Sequence, residues 1–206
     1  MSDSMYAYLD RGFAHEFQRR SLTFYTSKTW YRTPSSLSLT SADEEDKLNP
    51  FQQVNIPEDV QSFTTFADCA MLLLRTPWKI PIPQAEGAEE ETKAKEYVGG
   101  TLLTAPIQEV LKGDWSNVTV LFEPQDNISL SSRTSTKNYL ILKTLQDVRT
   151  VLRFWKYQGN GKWIQVEEKQ KSSSADDNDT APPKEAVKVG EDISVSAVDS
   201  DGINHP

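Results

Sequence analysis

One cysteine and two histidines are all that 206 residues hold of the side chains most used for zinc ligation and nucleophile–base chemistry. A lone thiol excludes any disulfide within the chain. A zinc site needs three or four His, Cys or carboxylate ligands at close spacing, and this inventory does not supply them. No catalytic residue, no cofactor site and no metal site is therefore expected. Positive charge is also scarce: 22 Lys and Arg stand against 30 Asp and Glu, for a net charge of −8. Phosphate backbones are bound by clustered Lys and Arg, so nucleic acid is excluded as a partner. An anionic membrane surface is excluded on the same ground. Long apolar runs are missing as well. The first residues, MSDSMYAYLDRGFAHEFQRR, carry no apolar core of signal-peptide length, and no stretch approaches a membrane span. These absences point to a reducing, intracellular compartment, the cytoplasm. In that compartment the N-x-S/T triplets at Asn117, Asn127 and Asn178 are chance matches.

What is present is β-structure. Hydrophobic residues make up 37% of the chain, low for a globular domain, so part of it is expected as loop. Three polar stretches, 35–50, 84–96 and 169–188, hold too few apolar residues to offset the entropy of ordering, and mobile loops are expected there. Between them lie short runs rich in Val, Ile, Leu, Thr and aromatics, punctuated by Pro, Gly, Asn and Asp. They predict strands at 22–31, 51–56, 61–65, 69–75, 100–104, 118–122, 128–132, 139–145, 149–157, 163–167 and 193–198. Gln158-Gly159-Asn160-Gly161-Lys162, between two aromatic runs, predicts a tight hairpin. Only Pro106 to Lys112, closed by Gly113, suggests a helical turn.

An internal repeat organises these runs. A strand, a short break and a Ser-containing strand recur at Phe51–Pro57 with Val60–Ser62, at Val118–Pro124 with Ile128–Leu130, and at Trp163–Val166 with Ile193–Val195. The first two copies lead into the apolar runs Ala70–Leu74 and Tyr139–Leu142. Val54 and Leu121 are 67 residues apart, Leu121 and Val166 45. The shorter spacing is that of a four-stranded propeller blade, about 40–45 residues. The longer one contains the acidic 84–96 stretch. Middle strands of a blade are covered on both faces and read as continuous apolar runs, while outer strands alternate. Leu72–Leu74 and Leu140–Leu142 fit the first role and Lys156–Val166 the second. A β-sandwich would space its strands similarly, but the repeat favours an all-β fold of antiparallel four-stranded blades forming an incomplete β-propeller. About three blades are expected over residues 1–206.

Chemistry is sparse. No G-x-S-x-G elbow occurs. His15 sits in the charged run HEFQRR and His205 is the penultimate residue, where a general base would lack positional precision. Cys69 lies in an apolar context and reads as a buried, inert thiol. Asp199–Asn204 lacks the glycine position and closing Glu of a calcium loop and reads as a turn, as does Gly99-Gly100. Acidic runs at 43–46, 89–91 and 176–179 read as solvated loop tips. Trp78 and Trp155 read as packing aromatics of a core or blade interface rather than recognition residues.

The ordered segments nonetheless form a familiar series. Gly12–Lys28, Val54–Val60 and above all Gly100–Trp155, with GTLL, VLFEP, SLSS, YLIL and LQDVR in that order, resemble the propeller of the prolyl oligopeptidase family of serine peptidases. Ile193–Asp199 resembles the opening of that propeller's next blade. The likeness covers roughly residues 12–170 and 190–200 and fails in the acidic loops. It implies a non-catalytic propeller that caps a C-terminal α/β-hydrolase domain, its partner, and filters short peptide substrates by size. The family's Ser, Asp and His belong to that hydrolase domain, so none is carried onto a residue here. The resemblance thus implies a fragment, a partial gene model or one piece of a split enzyme whose parent cleaves short peptides after proline. The alternative is a stand-alone β-rich module that binds a protein through its acidic loops.

Overall fold

The computed structural model describes residues 4–10, 15–32, 50–81 and 94–166. Strands β1 (Met5–Asp10), β2 (His15–Ser21), β3 (Ser27–Arg32) and β4 (Gln52–Gln53) form the first sheet in that order, every neighbour antiparallel. Strands β5 (Ser62–Phe66) and β6 (Cys69–Leu73) open the second sheet. A hairpin of β7 (Trp78–Pro81) and β8 (Ala94–Tyr97) interrupts it, then β9 (Leu102–Pro106), helix α1 (Ile107–Leu111) and β10 (Thr119–Phe122) complete it. Strands β11 (Ile128–Ser135), β12 (Tyr139–Gln146), β13 (Arg149–Gly159) and β14 (Lys162–Val166) form the third, again a simple meander.

The repeat marks the passage from one blade to the next. Its first copy holds β4, the last strand of sheet one, and leads to β5, the first of sheet two. Its second copy holds β10 and β11 across the next junction. The long interval between copies is the β7–β8 hairpin inserted between the second and third strands of the middle blade.

Burial follows from position in the stack. One core joins Phe17 and Tyr31 of the first blade to Ala70, Leu72, Leu103 and Ala105 of the second. A second core joins Met71, Leu102 and Phe122 of the second blade to Leu140 and Leu142 of the third. The middle blade is thus covered on both faces, and β6 and β9 are buried almost residue by residue. Strand β12 alternates instead: Leu140, Leu142 and Thr144 are buried while Tyr139, Ile141 and Lys143 are half-buried. Only one of its faces meets the middle blade. The expectation that Leu72, Leu140 and Leu142 are buried holds, whereas Leu73 is half-buried.

Several boundaries differ from the sequence reading. Leu22–Thr26 is not strand but the turn joining β2 to β3, closed by the Leu22 N–H donating to the Thr26 carbonyl at 2.9 Å. Its β-prone Phe24 and Tyr25 are exposed. The strand expected over 51–56 shortens to Gln52–Gln53. Strands β1, β2, β7 and β8 were not anticipated, and 94–96, expected as loop, belong to β8. The helix at Pro106–Lys112 is found as α1, with Pro106 as its N-cap. The expected strand 193–198 and the loops 35–49, 84–93 and 169–188 lie outside the described residues.

Two hairpins turn through a pair of left-handed residues, as the right-handed twist of the flanking strands requires. Asn160 and Gly161 (φ 52° and 72°) join β13 to β14, confirming the expected hairpin. Asp147 and Val148 (φ 47° and 67°) join β12 to β13, with Val148 95% exposed. A β-branched side chain at positive φ gains nothing there and strains the turn. Val148→Gly is expected to raise the unfolding free energy by about 0.5–1.5 kcal/mol, the relief of strain exceeding glycine's greater unfolded-state freedom. Urea unfolding measures it, and a lower midpoint would count against strain at this turn.

Candidate functional site

The reactive side chains are built into the seams between blades. His15 opens β2 and is buried although its neighbours in sequence are charged. The alternation of the strand turns His15 and Phe17 inward and leaves Glu16 paired with Arg32 across β3. The His15 Nε2–H donates to the carbonyl of Ala67 at 2.6 Å, across the first seam. Its Nδ1 lies 3.0 Å from the Tyr31 hydroxyl. Burial raises the Tyr31 phenol's pKa, keeping its proton available for that bond. Both ring nitrogens are thus engaged. His205 lies outside the described residues.

Cys69 is fully buried at the start of β6. Burial, with the Asp68 carboxylate beside it, pushes the thiol up to about 12. The sign is that of an inert thiol: at pH 8 only about one molecule in 10⁴ carries the reactive thiolate. Native protein is expected to leave Cys69 unmodified by iodoacetamide at pH 8 and to label fully in denaturant. Rapid labelling of folded protein, read by mass, would contradict the burial of the site.

The second seam is polar at both ends of its apolar core. Near the first strands, the Arg133 guanidinium on β11 donates to the hydroxyls of Ser62 and Thr64 on β5, at 3.0 and 3.1 Å. Near the outer strands, the Tyr157 hydroxyl donates to Asp68 Oδ1 and accepts the Gly161 N–H at 3.2 Å. Gly161 sits where a Cβ would come 2.9 Å from the Pro106 ring. Glycine there meets both the turn's positive φ and the close approach of the blades. Trp78 packs edge-on against Trp115 with ring centroids 4.8 Å apart, and Trp155 packs against the second core, so both have the packing role the sequence suggested.

An open cleft of ≈ 810 Å³ runs along the outer margin of this seam, lined by Pro106, Glu109, Asn117, Lys162, Trp163 and Ile164 among others. Glu109 accepts two bonds from the Asn117 amide, at 3.0 and 3.1 Å, which holds one wall. The cleft is of ligand size and mixes apolar with polar groups. Among the described residues no cluster of three or more His, Cys, Asp or Glu is placed to hold a metal ion. No described helix is long and apolar enough to cross a membrane. The turn expected at Asp199–Asn204 lies outside the described residues.

Three consecutive four-stranded meanders, stacked face to face through apolar cores, narrow the comparison with known folds. The fold is similar to the solved structure of a post-proline cleaving enzyme from Rickettsia typhi, with a TM-score of 0.57 over 80% of this chain. The fold is all-β, with antiparallel, propeller-type blades. Sequence identity is 19%, so the likeness speaks for the fold, and the chain spans 22% of the length of that enzyme. No family model matches the sequence, and no curated protein matches it significantly. Sequence reading missed the inward turn of His15 and the Tyr157–Asp68 bond. The first was masked by the charged neighbours of His15, and the second, between residues 89 apart, had no local signal.

Proposed function

We infer that the chain is a non-catalytic propeller segment of the kind that gates access to a prolyl oligopeptidase-type serine peptidase. The observation that carries this reading is the run of three meander blades, similar in fold over 80% of the chain to a post-proline cleaving enzyme. The ordered GTLL to LQDVR series supports it independently. In this reading residues 1–206 are part of a larger propeller, the partner is a C-terminal α/β-hydrolase domain carrying Ser, Asp and His, and the parent enzyme hydrolyses short peptides in the cytoplasm. The blades supply shape and the hydrolase supplies chemistry. A filter by size needs walls that hold their spacing, and seams pinned by His15, Arg133 and Tyr157 meet that need.

The test is direct. Purified chain incubated with chromogenic prolyl peptides and a fluorophosphonate probe is expected to show no turnover and no labelled serine. One specifically labelled serine, with labelling lost on its substitution, would sink the non-catalytic reading. A hydrolase reading frame directly downstream in the genome supports the parent enzyme. A stable 206-residue product with no such neighbour favours the stand-alone module instead.

A further inference from the structure

The middle blade reaches its last strand by a detour. Helix α1 and the loop 112–118 join β9 to β10, whereas Asn160 and Gly161 alone join β13 to β14. The detour and the hairpin stand as two walls at the outer rim of the second seam, with the cleft between them. The walls meet where Gly161 faces the Pro106 ring. Trp163 lines the cleft and is held by Phe66 and Tyr157, each with its ring centroid 5.0 Å away. The detour wall is anionic. Asn117 fixes the Glu109 carboxylate through two bonds, which leaves about half of its lone-pair sites for another donor. In the same loop the Ser116 N–H, 2.9 Å away, holds the Asp114 carboxyl below its usual range. The hairpin wall carries Lys162 and the amides of Gln158 and Asn160. Strand β14 ends its sheet, and its outer edge meets no strand among the described residues.

We propose that this cleft binds an extended segment of a partner protein, added to the free edge of β14 with a Lys or Arg side chain against Glu109. Three features select that occupant. The first is backbone: an unpaired edge offers a row of N–H and C=O groups that only another extended chain satisfies in series. The second is side-chain spacing. Strand addition sends alternate side chains to one side, so a basic one reaches Glu109 while an apolar one lies over Trp163 and Pro106. The third is charge. Glu109 and Lys162 stand on opposing walls, which orients the segment with its basic residue toward α1 and disfavours a second basic residue beside the hairpin. A net charge of −8 draws a basic segment toward the chain before contact is made.

The experiment titrates the full chain with terminally capped heptapeptides of alternating Thr and Val, one carrying Arg at its second position and one Glu. Calorimetry is expected to show saturable binding of the Arg peptide and several-fold weaker binding of the Glu peptide. Glu109→Gln is expected to weaken the Arg peptide about three- to tenfold, the worth of a partly exposed charge-assisted contact, and to leave the Glu peptide unchanged. Its urea midpoint checks that the fold is intact. Methylating alternate backbone amides of the Arg peptide separates edge addition from side-chain contact. Blocking one alternate set is expected to abolish binding, and blocking the other to leave it. Amide NMR shifts on binding are expected in 116–119 and 162–166. Binding that survives both methylated sets, a preference for the Glu peptide, or shifts confined to other strands would each overturn the proposal. So would the absence of saturable binding up to about 1 mM peptide.

Discussion

Leu142→Ala is expected to lower the unfolding free energy by about 2–5 kcal/mol, the range for removing a fully buried leucine from a packed core. Leu142 is completely buried and joins Leu140 to Met71, Leu102 and Phe122 across the second seam. Truncation removes apolar contact from both blades at once. The cavity opens between two sheets held by backbone ladders, which limits collapse around it. The neighbouring position is the internal control. Ile141 points from the other side of β12 and is half-buried, so Ile141→Ala is expected to cost clearly less in the same background. Urea unfolding with an unchanged slope gives both values. A loss under about 1 kcal/mol for Leu142 would place β12 at the surface, against the stacked arrangement.

The same contrast explains how much of the fold was legible. Continuous apolar sequence marks strands covered on both faces, and the rule held for Leu72–Leu74 in the run Ala70–Leu74. Leu140–Leu142, read the same way, alternates between buried and half-buried because only one face of β12 meets the middle blade. Strand β2 was missed because the first blade meets a described neighbour on one side only. Its outward residues, Glu16, Gln18 and Arg20, gave the stretch a charged character that hid the inward His15 and Phe17. The turn Leu22–Thr26 misled in the opposite sense, because Phe24 and Tyr25 have strand propensity yet face solvent. Propensity reports fit to a half-buried pleated surface, and these two side chains have none to fit. The repeat succeeded where single strands failed, since it records the junction between sheets rather than the burial of any one element. For the site, the scarcity of His and Cys left the sequence reading without a candidate catalytic residue. The seam contacts pair residues 52, 71 and 89 positions apart, and such pairings leave no local trace in one sequence.

His15→Phe tests whether the polar pin across the first seam is structural. Phenylalanine fills most of the imidazole's space but leaves the Tyr31 hydroxyl and the Ala67 carbonyl without the ring nitrogens 3.0 and 2.6 Å away. Both residues are buried, so water does not replace the lost partners at no cost. At about 1–3 kcal/mol for each of the two stranded polar groups, the expected loss is about 2–6 kcal/mol. Part of this is recoverable. Adding Tyr31→Phe removes the stranded hydroxyl, so the double variant is expected to lie above the sum of the two single losses. The coupling should be about 0.5–3 kcal/mol, measured by a double-mutant cycle in urea. The pin joins the first blade to the turn between β5 and β6, so its loss should also loosen the first blade ahead of the others. Hydrogen exchange is expected to quicken in β2 and β3 while β6 and β9 keep their protection. A variant as stable as the parent, with unchanged exchange in β2, would show that apolar packing of Phe17 and Tyr31 alone joins the blades.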